Sequence, residues 1–114
     1  MNYNEMTSAQ CADWLAEKDG WKLHRLYKLW YRGSSEEDCE VLPKGTHPFQ
    51  LTLDAAAGAL REPWMLASLE ISGFGHVVAG IRTRKHDHWK FIEGPDRMTA
   101  EYRAAVAARM EEER

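Results

Sequence analysis

Between Ala67 and Glu93 the chain holds three short runs of alternating residues, and an alanine-rich helical stretch comes directly after them. Ala67, Leu69 and Ile71 alternate with Ser68, Glu70 and Ser72. Val77, Ala79 and Ile81 alternate with Val78, Gly80 and Arg82, and Trp89 and Phe91 with His88 and Lys90. A period of two marks a strand with one buried and one wet face. The breaks, Gly73-Phe74-Gly75 and Arg84-Lys85-His86-Asp87, are too short for a crossover, so the runs predict an antiparallel meander. Ala67, Leu69, Ile71, Val77, Ala79, Ile81, Trp89 and Phe91 are expected to form its buried face, against Tyr102 and Val106.

Helices flank these strands. Thr7-Ser8-Ala9-Gln10 reads as a capping box, with Met6 and Cys11 placed for a hydrophobic staple. Cys11, Trp14, Leu15 and Lys18 then share one helical face, and Gly20 ends the helix at Lys18 or Asp19. Thr52 opens a second helix, with Asp54 in its first turn. Leu53, Ala56, Ala57 and Leu60 have core-face spacing, and Pro63 stops the helix at Arg61 or Glu62. The last helix starts near Asp96 or Thr99 and carries one apolar stripe, Met98, Tyr102, Val106 and Met110. Its acidic end, Glu111-Glu112-Glu113, opposes the helix dipole and is expected to fray.

Trp21 to Arg32 alternates and is rich in aromatics, which predicts one extended segment. Gly33 to Gln50 reads as a long loop broken by Pro43, Gly45 and Pro48. The resulting fold class is α+β: an antiparallel sheet of three to four strands covered by three helices, in the order α-β-α-β-β-β-α. At 114 residues the chain is expected to form a single domain, residues 1–114.

Composition narrows the function classes. No run of apolar residues is long enough to span a bilayer, and the start lacks the pattern of a signal peptide. The chain is therefore expected to be cytoplasmic, with no membrane partner. Two cysteines, Cys11 and Cys39, are too few for a disulfide scaffold. The net charge of −3 argues against non-specific nucleic-acid binding.

Four groupings bear on chemistry. Glu36, Glu37, Asp38 and Glu40 form an acidic run in the long loop, either solvated surface or a phosphate mimic for a basic partner. Arg82, Arg84, Lys85, His86, His88 and Lys90 form a basic segment with Trp89 and Phe91 interleaved. Such a segment can grip single-stranded nucleic acid by phosphate contacts and stacking. Strand alternation weakens that reading, because Trp89 and Phe91 should face the core if Arg82, His88 and Lys90 face water. His86 and His88 share a strand side, but zinc needs further ligands and none is identifiable, so no metal is expected. Gly73-Phe74-Gly75-His76 lies between strands rather than before a helix, so it is a turn and not a phosphate cradle. Ser34 and Ser35 have no partnered base. No cofactor is expected.

Several of these features together resemble the small phage and prophage proteins of the phage ABA-sandwich domain family. The resemblance is carried by Glu17-Lys18-Asp19-Gly20-Trp21, Trp30, the entry from Pro48 into Thr52-Leu53-Asp54-Ala55-Ala56-Ala57, and the Thr99–Ala108 helix. Thr and Asp tend to be adjacent in that family, whereas Leu53 separates them here. The resemblance implies a sheet covered by helices and a bacteriophage origin, and carries over no activity or functional residue. Two expectations follow. The first is a non-enzymatic phage or prophage protein that binds a host protein complex in the bacterial cell, concretely an anti-CRISPR-like inhibitor of host defence. The second is a small-ligand-binding or enzymatic domain with a site assembled from Trp, His and Arg.

Overall fold

The first helix, α1 (Ser8–Lys18), begins where the capping box places it: Gln10 N–H donates to Thr7 Oγ1 at 3.2 Å, and Thr7 N–H to Gln10 Oε1 at 2.9 Å. It ends in a Schellman motif, with Trp21 N–H on the Ala16 carbonyl and Gly20 N–H on the Glu17 carbonyl. Gly20 has φ +91, a left-handed conformation that a residue with Cβ resists. The structure, a computed structural model, describes residues 2–33, 38–73, 75–83 and 88–113.

The stretch after Gly20 is a hairpin rather than one extended segment. β1 (Lys22–His24) pairs antiparallel with β2 (Leu29–Arg32), and Lys28 takes φ +56 in the turn between them. β3 (Glu40–Val41) adds to β2 from within the predicted loop. This small sheet packs through Trp21 and Trp30 around Ala16. Arg32 lies over the Trp21 ring at 4.5 Å and holds both Glu40 oxygens, at 2.9 and 3.1 Å.

Thr52 caps α2 (Leu53–Ala59), accepting from Ala55 N–H at 3.1 Å. The helix stops earlier than Pro63 alone demands, with Leu60 already extended. Its buried residues are Ala56 and Ala59, while Leu53 and Ala57 are exposed. The core face is therefore rotated by about one residue from the predicted one.

β4 (Trp64–Ile71), β5 (Val77–Thr83) and β6 (Trp89–Gly94) form the predicted meander, in sheet order β4-β5-β6. Val77, Ala79 and Ile81 are buried, as their alternation predicts. β4 departs from simple alternation because a bulge lies between Leu66 and Ser68. A bulge inserts one residue and flips the facing of the strand beyond it. Trp64 and Leu66 face inward before it and Leu69 after it, so Ala67 is exposed. Ile71, at the strand end, is 78% exposed.

The last helix, α3 (Arg97–Glu112), starts at Asp96, whose side chain accepts from Thr99 N–H at 2.8 Å. It is buried almost all round, with Ala104 to Ala108 consecutively covered, rather than along one stripe. Such a helix lies between layers. Ala100, Ala104, Ala107 and Ala108 pack with the large sheet. Tyr102, Ala105 and Val106 pack on the other side with Cys11, Leu15, Ala56 and Ala59 of α1 and α2. Alanines permit both layers to approach closely. The fold is thus α+β, with α3 between the sheet and the other two helices.

Polar groups lock these layers. Asp19, next to the α1 terminus, holds Arg61 and Arg109 together. Ser8 Oγ and Thr99 Oγ1 share a hydrogen bond of 2.7 Å. At the far end α3 runs to Glu112 instead of fraying early, and lysines answer the acids: Lys90 reaches Glu111 and Lys18 reaches Glu113, each at 3.2 Å.

Candidate binding surface

The large sheet has one face on α3, and residues of its other face are exposed. Strand register decides what stands there. Arg82 pairs with Met65 and Trp89, Gly80 with Ser68 and Phe91, and Val78 with Glu70 and Glu93. Partners across antiparallel strands share a face. Trp89 and Phe91 therefore stand on the side away from Ala79 and Ile81. They are 39% and 65% exposed, which overturns the expectation that they belong to the core. The residue that fills the core from β6 is Ile92, buried opposite Ala79.

The two exposed rings form a parallel pair, with centroids 5.8 Å apart and planes 11° from coplanar. The Arg82 guanidinium lies 5.7 Å from the Trp89 ring centre. Gly80 makes the surface under Phe91: a Cβ there would meet Ser68 Oγ at 2.2 Å and Phe91 Cε1 at 3.2 Å. The missing side chain lets Phe91 lie across β5. At the far end of the face His76 Nδ1 meets Glu93 Oε1 at 2.8 Å.

The basic segment does not form one surface. Arg82 stands with Trp89 on the open face, whereas Lys90 pairs with Ile81 on the α3 side and reaches Glu111. His88 packs edge-on against Trp64 with centroids 5.8 Å apart. Arg84, Lys85 and His86 lie outside the described residues. Among the described residues no cluster of three or more His, Cys, Asp or Glu side chains is placed to hold a metal ion.

The acidic run is likewise divided. Glu36 and Glu37 lie outside the described residues, Asp38 is exposed, and Glu40 is held by Arg32. One His–Asp pair has no signature in the sequence. His47 Nε2 lies 2.7 Å from Asp13 Oδ1, and Phe49 N–H donates to His47 Nδ1 at 2.8 Å. Nδ1 accepts, so Nε2 carries the proton and donates to Asp13. Both nitrogens are engaged, and the ring meets Trp30 edge-on at 4.7 Å. The pair pins the 43–50 loop to α1 and leaves no nitrogen to activate a nucleophile.

Two buried acids sit on the far side of α3. Burial pushes the Cys11 thiol up to about 11, against a smaller opposing pull from Arg103. Burial and then the Cys11 charge push the Tyr102 phenol up to about 12; its hydroxyl donates to the Gln50 carbonyl. Both groups are therefore neutral at pH 7 and structural.

Among the described residues no helix is long and apolar enough to cross a membrane. Compared with known proteins, the chain matches no family model, no curated protein and no solved structure. The resemblance to phage ABA-sandwich proteins thus rests on the motifs quoted for it.

Proposed function

We propose that the protein is a non-enzymatic binding module that docks another protein through the open face of the large sheet. The observation that carries this is the stacked Trp89–Phe91 pair, exposed beside Arg82. Trp and Arg are among the residues most enriched at interface hot spots. Exposed apolar surface gains about 25 cal/mol per Å² when a partner covers it. Met65 and Val78, half-buried on the same face, extend the apolar patch, and Glu70 and Glu93 give it a polar margin. The setting we propose is a bacterial host-defence complex inhibited by a phage-encoded protein in the manner of anti-CRISPR proteins. That setting is supported by the motif resemblance and not by the geometry.

The parallel rings also favour a second reading, single-stranded nucleic acid held by base stacking. The case against it from strand facing falls, since Trp89, Phe91 and Arg82 share one face. Glu70 and Glu93 on that face and the net charge of −3 weigh against it.

The test is affinity capture from a bacterial lysate with wild type and with a W89A/F91A double variant, both checked by thermal melt. A defined protein complex recovered by wild type and lost with the variant supports the reading. Equal recovery by both proteins removes this face from the function. Saturable binding of an oligothymidylate, lost in the same variant, would replace the protein partner with a nucleic acid.

A further inference from the structure

Between α2, α3 and β4 lies a cavity of about 230 Å³. Its walls are mostly apolar, built by Ala57, Leu60, Trp64, Leu66 and Ala104. Two carboxylates break this pattern, Glu62, which is exposed, and Glu101, which is buried. Glu101 lines the cavity, is only 3% exposed, and its Oε1 is buried without a hydrogen-bond partner. Its other oxygen is taken: Arg97 Nε donates to Oε2 at 3.2 Å. A buried carboxylate oxygen with no donor is unfavourable, so its persistence beside open space calls for a donor in that space.

We propose that this cavity is a binding site for a small organic cation, an ammonium group on an aromatic or branched aliphatic body. The sign of the charge comes from the lining. Glu101 Oε1 accepts only from a donor, and a charged donor makes the stronger bond. Glu62 adds a second carboxylate, and Trp64 lines the same space, an aromatic residue of the kind whose ring attracts cations. No lysine, arginine or histidine is among the described residues of the lining. The size comes from the volume: a cavity of about 150 Å³ accepts benzene, so this one holds a ring and a short aminoalkyl arm. The site lies on the α3 side of the sheet, touching the residues of the open face through Met65 of the edge strand β4, and it is argued from Glu101 and not from the Trp89–Phe91 pair.

Isothermal titration with phenethylamine, 2-phenylethanol and phenylacetate at neutral pH tests the proposal. The three share a ring and differ in carrying a cation, a neutral donor and an anion. Phenethylamine is expected to saturate one site, with the alcohol at least about tenfold weaker and phenylacetate not binding. Amide shifts on binding should centre on Ala56, Leu66 and Ala104. Glu101→Gln should weaken phenethylamine by about tenfold or more while still melting cooperatively. Should that variant fail to fold, Ala57→Leu decides, because Ala57 is exposed on α2 and a larger side chain there narrows the cavity. No saturable binding, equal affinity for amine and alcohol, or shifts centred on Trp89 would each overturn the proposal. So would an affinity unchanged in folded Glu101→Gln or in Ala57→Leu.

Discussion

The two faces of the large sheet are built from the same three strands and behave as different materials. The inner face carries Val77, Ala79, Ile81 and Ile92, all buried against a wall of alanines. The outer face carries Trp89 and Phe91, larger than any of them, in contact with water. Side-chain size and hydrophobicity do not say which face is the core. What decides is whether a second layer can approach, and α3 approaches only where small and branched residues let it. The inner face should therefore set stability and the outer face should set binding.

The largest test of that division is Ile81→Ala. Ile81 is fully buried, so the variant should lose about 2–5 kcal/mol through lost burial and a cavity, read by chemical denaturation. An unchanged melt would mean that the inner face is not the core. Gly80→Ala attacks the boundary between the faces. Its Cβ would crowd Ser68 and lift Phe91, so it should cost about 1–3 kcal/mol and also lower the exposed-ring contact seen in Trp fluorescence. A neutral melt with an unchanged spectrum would show that Phe91 does not depend on the bare backbone beneath it.

Alkali should strike the covered side through Cys11 and Tyr102. Cys11 and Tyr102 have folded-state pKa values raised above 9.0 and 10.0, so the unfolded chain loses these protons first. Their contribution is complete below about pH 9 and fades as pH rises through about 11 and 12. The melting temperature should fall across that window, and Cys11→Ala should remove the early part of the fall. A flat profile in wild type would place both groups in water.

Trp89→Ala with Phe91→Ala should change stability by less than about 1 kcal/mol, since both rings are partly or largely exposed, while abolishing partner capture. A loss of several kcal/mol would return the pair to the core. The smallest effect belongs to Lys90→Gln. Its pair with Glu111 is partly exposed and should be worth no more than about 1 kcal/mol by denaturation, with partner binding unchanged because Lys90 stands on the inner side.

Signals that act within a few residues are legible in the sequence. Thr7–Gln10 and Thr52 start their helices, Gly20 ends one, and β5 alternates without interruption. Features that need a distant partner are not. β3 has two residues and exists only because β2 offers an edge. The bulge after Leu66 reverses β4 without a glycine or proline to announce it. The facing of β6 misleads because Trp and Phe read as core, although burial is a one-way rule that leaves much apolar surface outside. β6 does carry one local hint: Ile92 and Gly94 occupy the phase opposite to Trp89 and Phe91. Glu101 and its cavity draw on α2, β4 and α3, and no local pattern joins residues so far apart.

The central place of α3 has a kinetic consequence. Among the described residues two of the three apolar clusters share it, and the Ser8–Thr99 bond joins residues 91 apart in sequence. Contacts of that span lose loop entropy before they return any stabilisation. Refolding should be slow for a domain with this much helix, and dominated by contact order rather than by helix formation. During synthesis α1, α2 and the meander emerge before α3, and α1 alone meets a partner layer early, through Ala16 against Trp21 and Trp30. Until α3 is made, the inner face of the large sheet and the sides of α1 and α2 that it covers stay in water.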